Sequence, residues 1–254
     1  MKKAILSGIE LAYERRGKGT PMVLIHGYPL DHTIWSLVAP LLEKDFDIIM
    51  PDLRGFGESA ASPASYQLSD IADDIAALLD FLKIKNAAIA GHSMGGYVAL
   101  AFARSHPKRV SGLGLLSSQA IADPPEKKAG RIETAARVEA NGVGEVAESM
   151  SQLLTANVAL QADLKKLILR QSPEGVAGSL RAMAERLDST DILPSFDFAV
   201  TIIHGLTDKI MPIERAREVK SAVKKGYLFE IERAGHMPMM ETPKSTSEAL
   251  KSLH

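Results

Sequence analysis

The stretch GHSMGG at residues 91–96 decides the fold of this 254-residue chain. An apolar run that ends at Ala90 precedes it and predicts a buried strand, and a second run, from Tyr97 to Ala103, predicts a helix. A serine between two glycines at such a strand-to-helix turn takes a strained backbone conformation that exposes its hydroxyl. The glycines are needed because strand and helix come close together on either side of the serine. The stretch therefore predicts an α/β fold in which Ser93 attacks acyl groups.

The rest of the chain agrees with an α/β fold interrupted by one insertion. Its first half alternates short apolar strands with amphipathic helices, which is typical of a parallel sheet covered by helices on both faces. An antiparallel pair of strands is expected at residues 4–16, with its turn at Ser7-Gly8. From about Ala120 to Asp188 the strand pattern is replaced by amphipathic helical segments. We therefore predict an α/β core domain at 1–119 and 189–254, with a helical cap inserted at 120–188.

Composition narrows the classes of function. Hydrophobic residues make up 46% of the chain and charged residues 24%, which is ordinary for a globular protein. Thirty basic and 31 acidic residues give a net charge of −1, and no basic stripe is visible, so we expect no nucleic-acid partner. The absence of cysteine excludes disulfides, thiolate metal sites and cysteine nucleophiles.

Neither a signal peptide nor a membrane span is expected. The first apolar stretch ends at Leu6, which is too short for the core of a signal peptide. The longest uncharged stretch lies between Lys85 and Arg104, but it contains glycines, a histidine and a serine and therefore predicts a buried strand and helix. We expect a cytoplasmic protein that has no membrane partner.

A serine nucleophile requires a base and a carboxylate elsewhere in the chain. The base removes the hydroxyl proton, and the carboxylate holds the base in the correct tautomer. In enzymes with this turn the chain order is serine, acid, histidine. Asp208 follows a predicted strand that ends at His204, and His236 follows the last predicted strand, so both lie at the sheet edge where α/β folds bind ligands. We predict the catalytic residues Ser93, Asp208 and His236.

Other candidates for these roles are weaker. Asp123 is an alternative acid, although it lies several residues beyond the end of its strand. Among the remaining histidines, His92 is expected to be structural, because strand alternation turns it away from the serine. His26 and His204 are each followed by glycine and are expected to hold loops by hydrogen bonds.

A tetrahedral intermediate also needs two backbone N–H donors. The first is expected from Met94, which follows the nucleophile at the start of a helix. The second is expected from Tyr28, because Gly27 lets the chain turn so that this amide points towards the site. Tyr28 and Met94 are therefore the predicted oxyanion hole.

The motifs together resemble the α/β-hydrolase superfamily, and within it the compact, single-cap carboxylesterase-like enzymes of bacteria. The matching segments are HGYPL at 26–30, DLRGFGES at 52–59, GHSMGG at 91–96, the Asp208 loop and Gly235-His236. The resemblance implies that an ester is hydrolysed by the three predicted catalytic residues without a cofactor or a metal. It also implies that Asp52 and Arg54 are structural. Relatives that remove halogens or open epoxides carry an aspartate in place of Ser93, which argues against both reactions.

The expected substrate is a small-molecule ester with a neutral acyl group of short to medium length, because few polar groups stand out near the expected pocket. Hydrophobic residues at the mouth of the site are expected to contact it. These are Leu30, Trp35, Met150, Leu153, Met183 and Leu187.

The same residues are compatible with three further functions. Tyr28-Pro29 resembles a loop of cofactor-free bacterial perhydrolases (haloperoxidases), in which peroxide replaces water. A lactonase of the enol-lactonase type, or a carbon–carbon bond hydrolase, would use the same three catalytic residues. A non-catalytic, ligand-binding relative is the third possibility, although such proteins usually lose a catalytic residue and this chain has them all.

Overall fold

A computed structural model describes residues 1–6, 8–62 and 65–254. Eight strands form one sheet in the order β1-β2-β4-β3-β5-β6-β7-β8. The strands are β1 Lys2–Leu6, β2 Ile9–Gly17, β3 Thr20–Ile25, β4 Phe46–Pro51, β5 Ala87–His92, β6 Val110–Leu116, β7 Ala199–Gly205 and β8 Gly226–Ile231. β2 pairs antiparallel with both β1 and β4, and all other neighbours are parallel. The predicted antiparallel pair is β1 and β2, although Ser7 of its turn lies outside the described residues.

Helices cover the sheet and fill the interval between β6 and β7. The helices are α1 Ala39–Leu42, α2 Leu68–Phe81, α3 Met94–Ser105, α4 Pro125–Asn141, α5 Gly144–Leu154, α6 Val158–Leu169, α7 Pro173–Ala184, α8 Ile213–Ala222, α9 Pro238–Glu241 and α10 Pro243–Leu250. In the described part of the chain, none of them combines the length and the apolar character that crossing a bilayer requires. The α/β class predicted from the sequence is confirmed.

The central strands are apolar on both faces, as a sheet covered on two sides requires. The segment Met22 to Ile25 of β3 and the whole of β5 are buried. α2 packs one apolar stripe against this sheet, including Ile71, Ile75 and Leu79. The loops that follow the parallel strands are therefore held at one edge of a rigid sheet.

Helices α4 to α7, residues 125–184, are called the helical insertion below. Within it α4 packs on α7 and α5 packs on α6. The sheet and the helices outside residues 125–184 are together called the sheet domain below. The insertion meets it closely at Gly175, where a Cβ would lie 2.0 Å from the Gly55 carbonyl oxygen. Arg170 adds an ion pair of 2.8 Å to Asp31. The division into a core and a cap at residues 120–188 stays a prediction.

Candidate active site

Ser93 occupies a sharp turn between β5 and α3. Its backbone has φ +51° and ψ −112°, a region that residues other than glycine rarely adopt. The turn is held by the Ser93 amide, which donates to the Leu116 carbonyl at 2.8 Å. A side chain on Gly91 would meet the Gly95 carbonyl oxygen at 2.0 Å, and one on Gly95 would meet Ile25 at 2.4 Å. Both glycines are therefore required by close backbone approach.

His236 and Asp208 lie on the loops that follow β8 and β7. The two side chains are both 1% exposed, and His236 Nδ1 donates to Asp208 Oδ2 at 2.7 Å. The other carboxylate oxygen accepts the amides of Ile210 and Met211 at 2.8 and 3.0 Å. Burial raises the pKa of Asp208, but the hydrogen bond and charge of His236, together with these amides, outweigh it and hold that pKa below its ordinary value. Asp208 is therefore an ionised acceptor for His236.

Two further histidines support this pair from behind. His92 Nε2 donates to the His236 carbonyl at 2.8 Å, and the two rings lie edge to face at 4.9 Å. Burial, together with the charge of His236, lowers the pKa of His92 to about 3, so its ring is neutral. His204 Nε2 donates to the Met211 carbonyl at 2.8 Å and stabilises the Asp208 loop. These contacts agree with the structural roles expected for His92 and His204.

Ser93 and His236 line one cavity of about 640 Å³ beneath the helical insertion. Tyr28 lines it from the sheet side, and Met150 and Met183 line it from α5 and α7. The structure therefore brings two of the three predicted catalytic residues and two of the predicted pocket residues to the same space. Asp208 stands behind His236 and does not line the cavity.

The predicted oxyanion donors lie on the two loops that flank Ser93. Met94 is the first residue of α3, and Tyr28 lies in a turn closed by the Leu30 amide, which donates to the Gly27 carbonyl at 3.0 Å. Neither the Tyr28 nor the Met94 amide donates to a protein acceptor within residues 1–6, 8–62 and 65–254. Gly27 is needed for a different reason than expected, because a side chain there would lie 2.4 Å from His92 Nδ1.

Four of the predicted pocket residues do not line the cavity. Leu30 and Trp35 are completely buried in the hydrophobic core, where their bulk fills space between the sheet and the neighbouring helices. Leu153 is 45% exposed. The last residue of α5 that lines the cavity is Met150, one turn before it. Leu187 follows the end of α7, is 70% exposed and borders a separate cavity of about 120 Å³.

The alternative acid, Asp123, belongs to a different group of charges. Its Oδ2 lies 2.5 Å from Arg131 Nε and 2.6 Å from Arg186 Nη1. Burial raises the pKa of Asp123, but the two guanidinium groups lower it to about 2. The carboxylate that contacts His236 is Asp208.

Sequence reasoning missed the polar face of α4. Lys127, Arg131, Thr134 and Val138 all line the cavity, and their spacing of four, three and four residues puts them on one side of the helix. That spacing is readable from the sequence. It does not identify the pocket, because an amphipathic pattern gives no indication of which helix surface meets a cavity.

One group has the composition of a metal site. Single ligand atoms of Asp31, His32 and Asp52 all lie within 4.8 Å of one another. Each is already engaged: His32 Nδ1 donates to Asp52 Oδ1 at 2.7 Å, and Asp31 Oδ2 accepts from Arg170 and Gln171 at 2.8 and 3.0 Å. The group therefore serves as a structural link, which agrees with the role expected for Asp52.

Comparisons with known proteins identify the family and the fold. The model of a family described as alpha/beta hydrolase fold matches residues 20–243. A malate-bound esterase from Thermogutta terrifontis is 37% identical with a TM-score of 0.94, over 99% of this chain and 96% of that one. The AB hydrolase superfamily protein YisY of Bacillus subtilis is 30% identical over 90% of this chain and 89% of its own length. A pimeloyl-[acyl-carrier protein] methyl ester esterase of Vibrio vulnificus is 27% identical, over 96% and 97%.

Proposed function

We propose that this chain, which belongs to the alpha/beta hydrolase fold family, is a serine hydrolase that cleaves carboxylic esters through an acyl-enzyme on Ser93. One observation carries the proposal. Ser93, strained at φ +51°, lines the same cavity as His236, whose Nδ1 donates to Asp208 at 2.7 Å. The esterases among the similar proteins support the same reaction class.

In the proposed first half-reaction, His236 Nε2 takes the proton of Ser93 Oγ while Oγ bonds to the ester carbonyl carbon. The carbonyl oxygen becomes an oxyanion, and the free amides of Tyr28 and Met94 hold it. The tetrahedral intermediate then breaks its bond to the alkoxy oxygen. His236 gives its proton to that oxygen, and the alcohol leaves the acyl-enzyme.

In the second half-reaction a water molecule replaces the alcohol. His236 removes a proton from the water, whose oxygen attacks the acyl carbon and forms a second tetrahedral intermediate. Collapse of that intermediate breaks the bond to Ser93 Oγ, which regains its proton from His236. The carboxylic acid is released, and Asp208 stabilises the imidazolium in both halves.

The proposal is tested by removing the nucleophile. Ser93→Ala is expected to lower kcat on 4-nitrophenyl esters by about a millionfold, leaving only what oxyanion binding supplies. The wild-type protein is expected to react with a fluorophosphonate at Ser93, which mass spectrometry of the intact protein detects. Ser221, an exposed serine on α8, gives the matched control Ser221→Ala, for which full activity and labelling are expected.

The proposal is contradicted if the folded wild-type protein neither hydrolyses the 4-nitrophenyl esters nor reacts with the fluorophosphonate. That result would favour a non-catalytic, ligand-binding protein.

Substrate panels distinguish ester hydrolysis from the related reactions of Ser93. Bromination that depends on peroxide in acetate buffer would indicate a perhydrolase. Cleavage of lactones in preference to open-chain esters would indicate a lactonase. Cleavage of carbon–carbon bonds in dicarbonyl compounds, again in preference to open-chain esters, would indicate a carbon–carbon bond hydrolase.

A further inference from the structure

One face of α4 brings positive charge to the cavity that holds Ser93. Lys127 and Arg131 are four residues apart, so they share a side of the helix, and both line the cavity. The Lys127 side chain is 42% exposed, whereas that of Arg131 is only 15% exposed. Arg131 therefore lies deeper. A cation held out of water requires a compensating negative charge. Where the protein supplies too little of it, a bound ligand can supply the rest.

The nearest compensating group is Asp123, and three cations share it. Arg131 Nε lies 2.5 Å and Arg186 Nη1 2.6 Å from Asp123 Oδ2, and Lys127 Nζ lies 3.6 Å from Oδ1. The side chains of Asp123 and Arg186 are 0% and 4% exposed. One carboxylate cannot neutralise three cations, so the group keeps a net positive charge beside the cavity. Burial lowers the pKa of Lys127, and the two guanidinium charges lower it further against the opposing effect of Asp123.

Arg131 keeps donors free on its cavity side. Nη1 contacts the Met183 sulfur at 3.4 Å, which is a weak acceptor. Nη2 donates to no protein acceptor in the part of the chain that the structure describes. Arg131 and Tyr28 line the same cavity. The Tyr28 hydroxyl is itself buried without a hydrogen-bond partner among the described residues.

The other charged residues that line the cavity, Arg137 and Glu145, form an ion pair with each other. Arg137 Nε lies 3.4 Å from Glu145 Oε2. Among the lining residues, the excess positive charge therefore lies at Lys127 and Arg131.

We propose that the ester cleaved at Ser93 carries a carboxylate at the far end of its acyl chain, and that this carboxylate binds Arg131. The inference rests on the proposed function. A guanidinium binds a carboxylate by charge-assisted hydrogen bonds, and Lys127 adds a second positive charge nearer the solvent. We place the carboxylate on the acyl side because Arg131 lines the same cavity as Tyr28, whose amide is proposed to hold the acyl carbonyl oxygen. This substrate class differs from the neutral acyl group expected from the sequence.

Two esters that differ by one charge test the inference. 4-Nitrophenyl hydrogen adipate carries a free carboxylate, and methyl 4-nitrophenyl adipate has the same chain with that group masked. Release of 4-nitrophenol is followed for both, with Ser93→Ala subtracted as the background. Wild-type kcat/KM is expected to be about tenfold or more higher for the free carboxylate, because charged hydrogen bonds are the stronger class.

Variants of Arg131 and Lys127 test whether these residues cause the preference for the free carboxylate over the masked ester. Arg131→Gln is expected to reduce that preference by about tenfold or more, chiefly through a higher KM for the free carboxylate. Lys127→Gln is expected to cause a smaller loss, and it maintains the test if Arg131→Gln does not fold. Lys166→Gln on α6, whose side chain is 80% exposed, removes the same charge away from the cavity and is expected to leave the preference unchanged.

The two proposals fail in different ways. If neither ester is cleaved and Ser93 is not labelled by a fluorophosphonate, the proposed function is wrong. If the masked ester is cleaved through Ser93 at least as well as the free carboxylate, only the present inference is wrong. It is also wrong if Lys166→Gln lowers the preference as much as Arg131→Gln does, because the effect would then come from overall charge.

Discussion

The sheet domain and the helical insertion contribute different parts of the same site. The sheet domain presents Ser93, Asp208 and His236 on loops that follow β5, β7 and β8, where parallel strands end together. The insertion presents a wall made of helix faces, with Lys127 and Arg131 on α4. The sheet domain holds the groups proposed for bond breaking, and the insertion holds those proposed for recognition.

The carboxylates of Asp208 and Asp123 are paired in different ways. In the sheet domain, Asp208 is matched one to one with His236 and takes two backbone amides as well. Just before the insertion, Asp123 is shared among three cations, two of which lie on α4. The first arrangement is complete, whereas the second leaves positive charge for a ligand.

Exchanging the two acids for amides gives the largest contrast expected between the regions. Asp208→Asn is expected to lower kcat by about 10⁴-fold, because an amide donor at His236 Nδ1 forces the wrong tautomer on the ring. Asp123→Asn is expected to keep kcat on the masked adipate within about tenfold. It should instead lower the free energy of unfolding by about 3 kcal/mol, since Arg186 loses its buried partner.

Steady-state kinetics and urea unfolding of both variants check this contrast. Thermal unfolding of Asp208→Asn controls for misfolding. The opposite result, with kcat lost in Asp123→Asn and kept in Asp208→Asn, would make Asp123 the catalytic acid.

A methyl group added at Gly27 tests the oxyanion loop of the sheet domain. It would lie 2.4 Å from His92 Nδ1, so either the loop that carries the Tyr28 amide or the His92 ring must move. Gly27→Ala is therefore expected to lower kcat by about 10²–10³-fold, the size of one lost oxyanion donor. Gly144 of the insertion provides the control, because a side chain there meets no atom within 4 Å. Equal kcat in Gly27→Ala and Gly144→Ala would contradict the role given to the Tyr28 amide.

The smallest expected effect concerns acid stability. The pKa of Asp123 is lowered to about 2 from its ordinary 3.8, so the folded state favours the ionised form. The resulting stability is complete above about pH 4 and is lost as the pH falls towards 2, because the unfolded chain binds the proton first. The contribution is about 2 kcal/mol. Urea unfolding between pH 2 and 5 measures it, and Asp123→Asn should show a flatter curve than the wild type. Parallel curves would argue against this ion cluster.

The predictability of the site differs between the two regions for a physical reason. That Ser93, Asp208 and His236 lie at one edge can be predicted from the sequence, because a parallel sheet converts chain order into position, so that residues after successive strands share an edge. No comparable rule applies to the insertion. Helical periodicity places Arg131 and Met150 on helix faces, but the direction of each face depends on how α4 to α7 pack on one another.

Burial explains why Leu30 and Trp35 do not line the cavity. Leu30 and Trp35 follow β3 closely and were expected at the mouth of the site, but both are completely buried. Hydrophobicity near a site predicts burial as readily as contact with a ligand, and the three-dimensional packing decides between them.

The backbone of Ser93 has a consequence for the protein as a whole. A positive φ at a residue with a side chain costs the folded state about 1–3 kcal/mol. Ser93→Gly would relieve this backbone strain and raise the free energy of unfolding, but it would remove the hydroxyl that is proposed to attack the ester. Stability and activity therefore conflict at this residue, because the backbone is strained at the point where the protein is proposed to react.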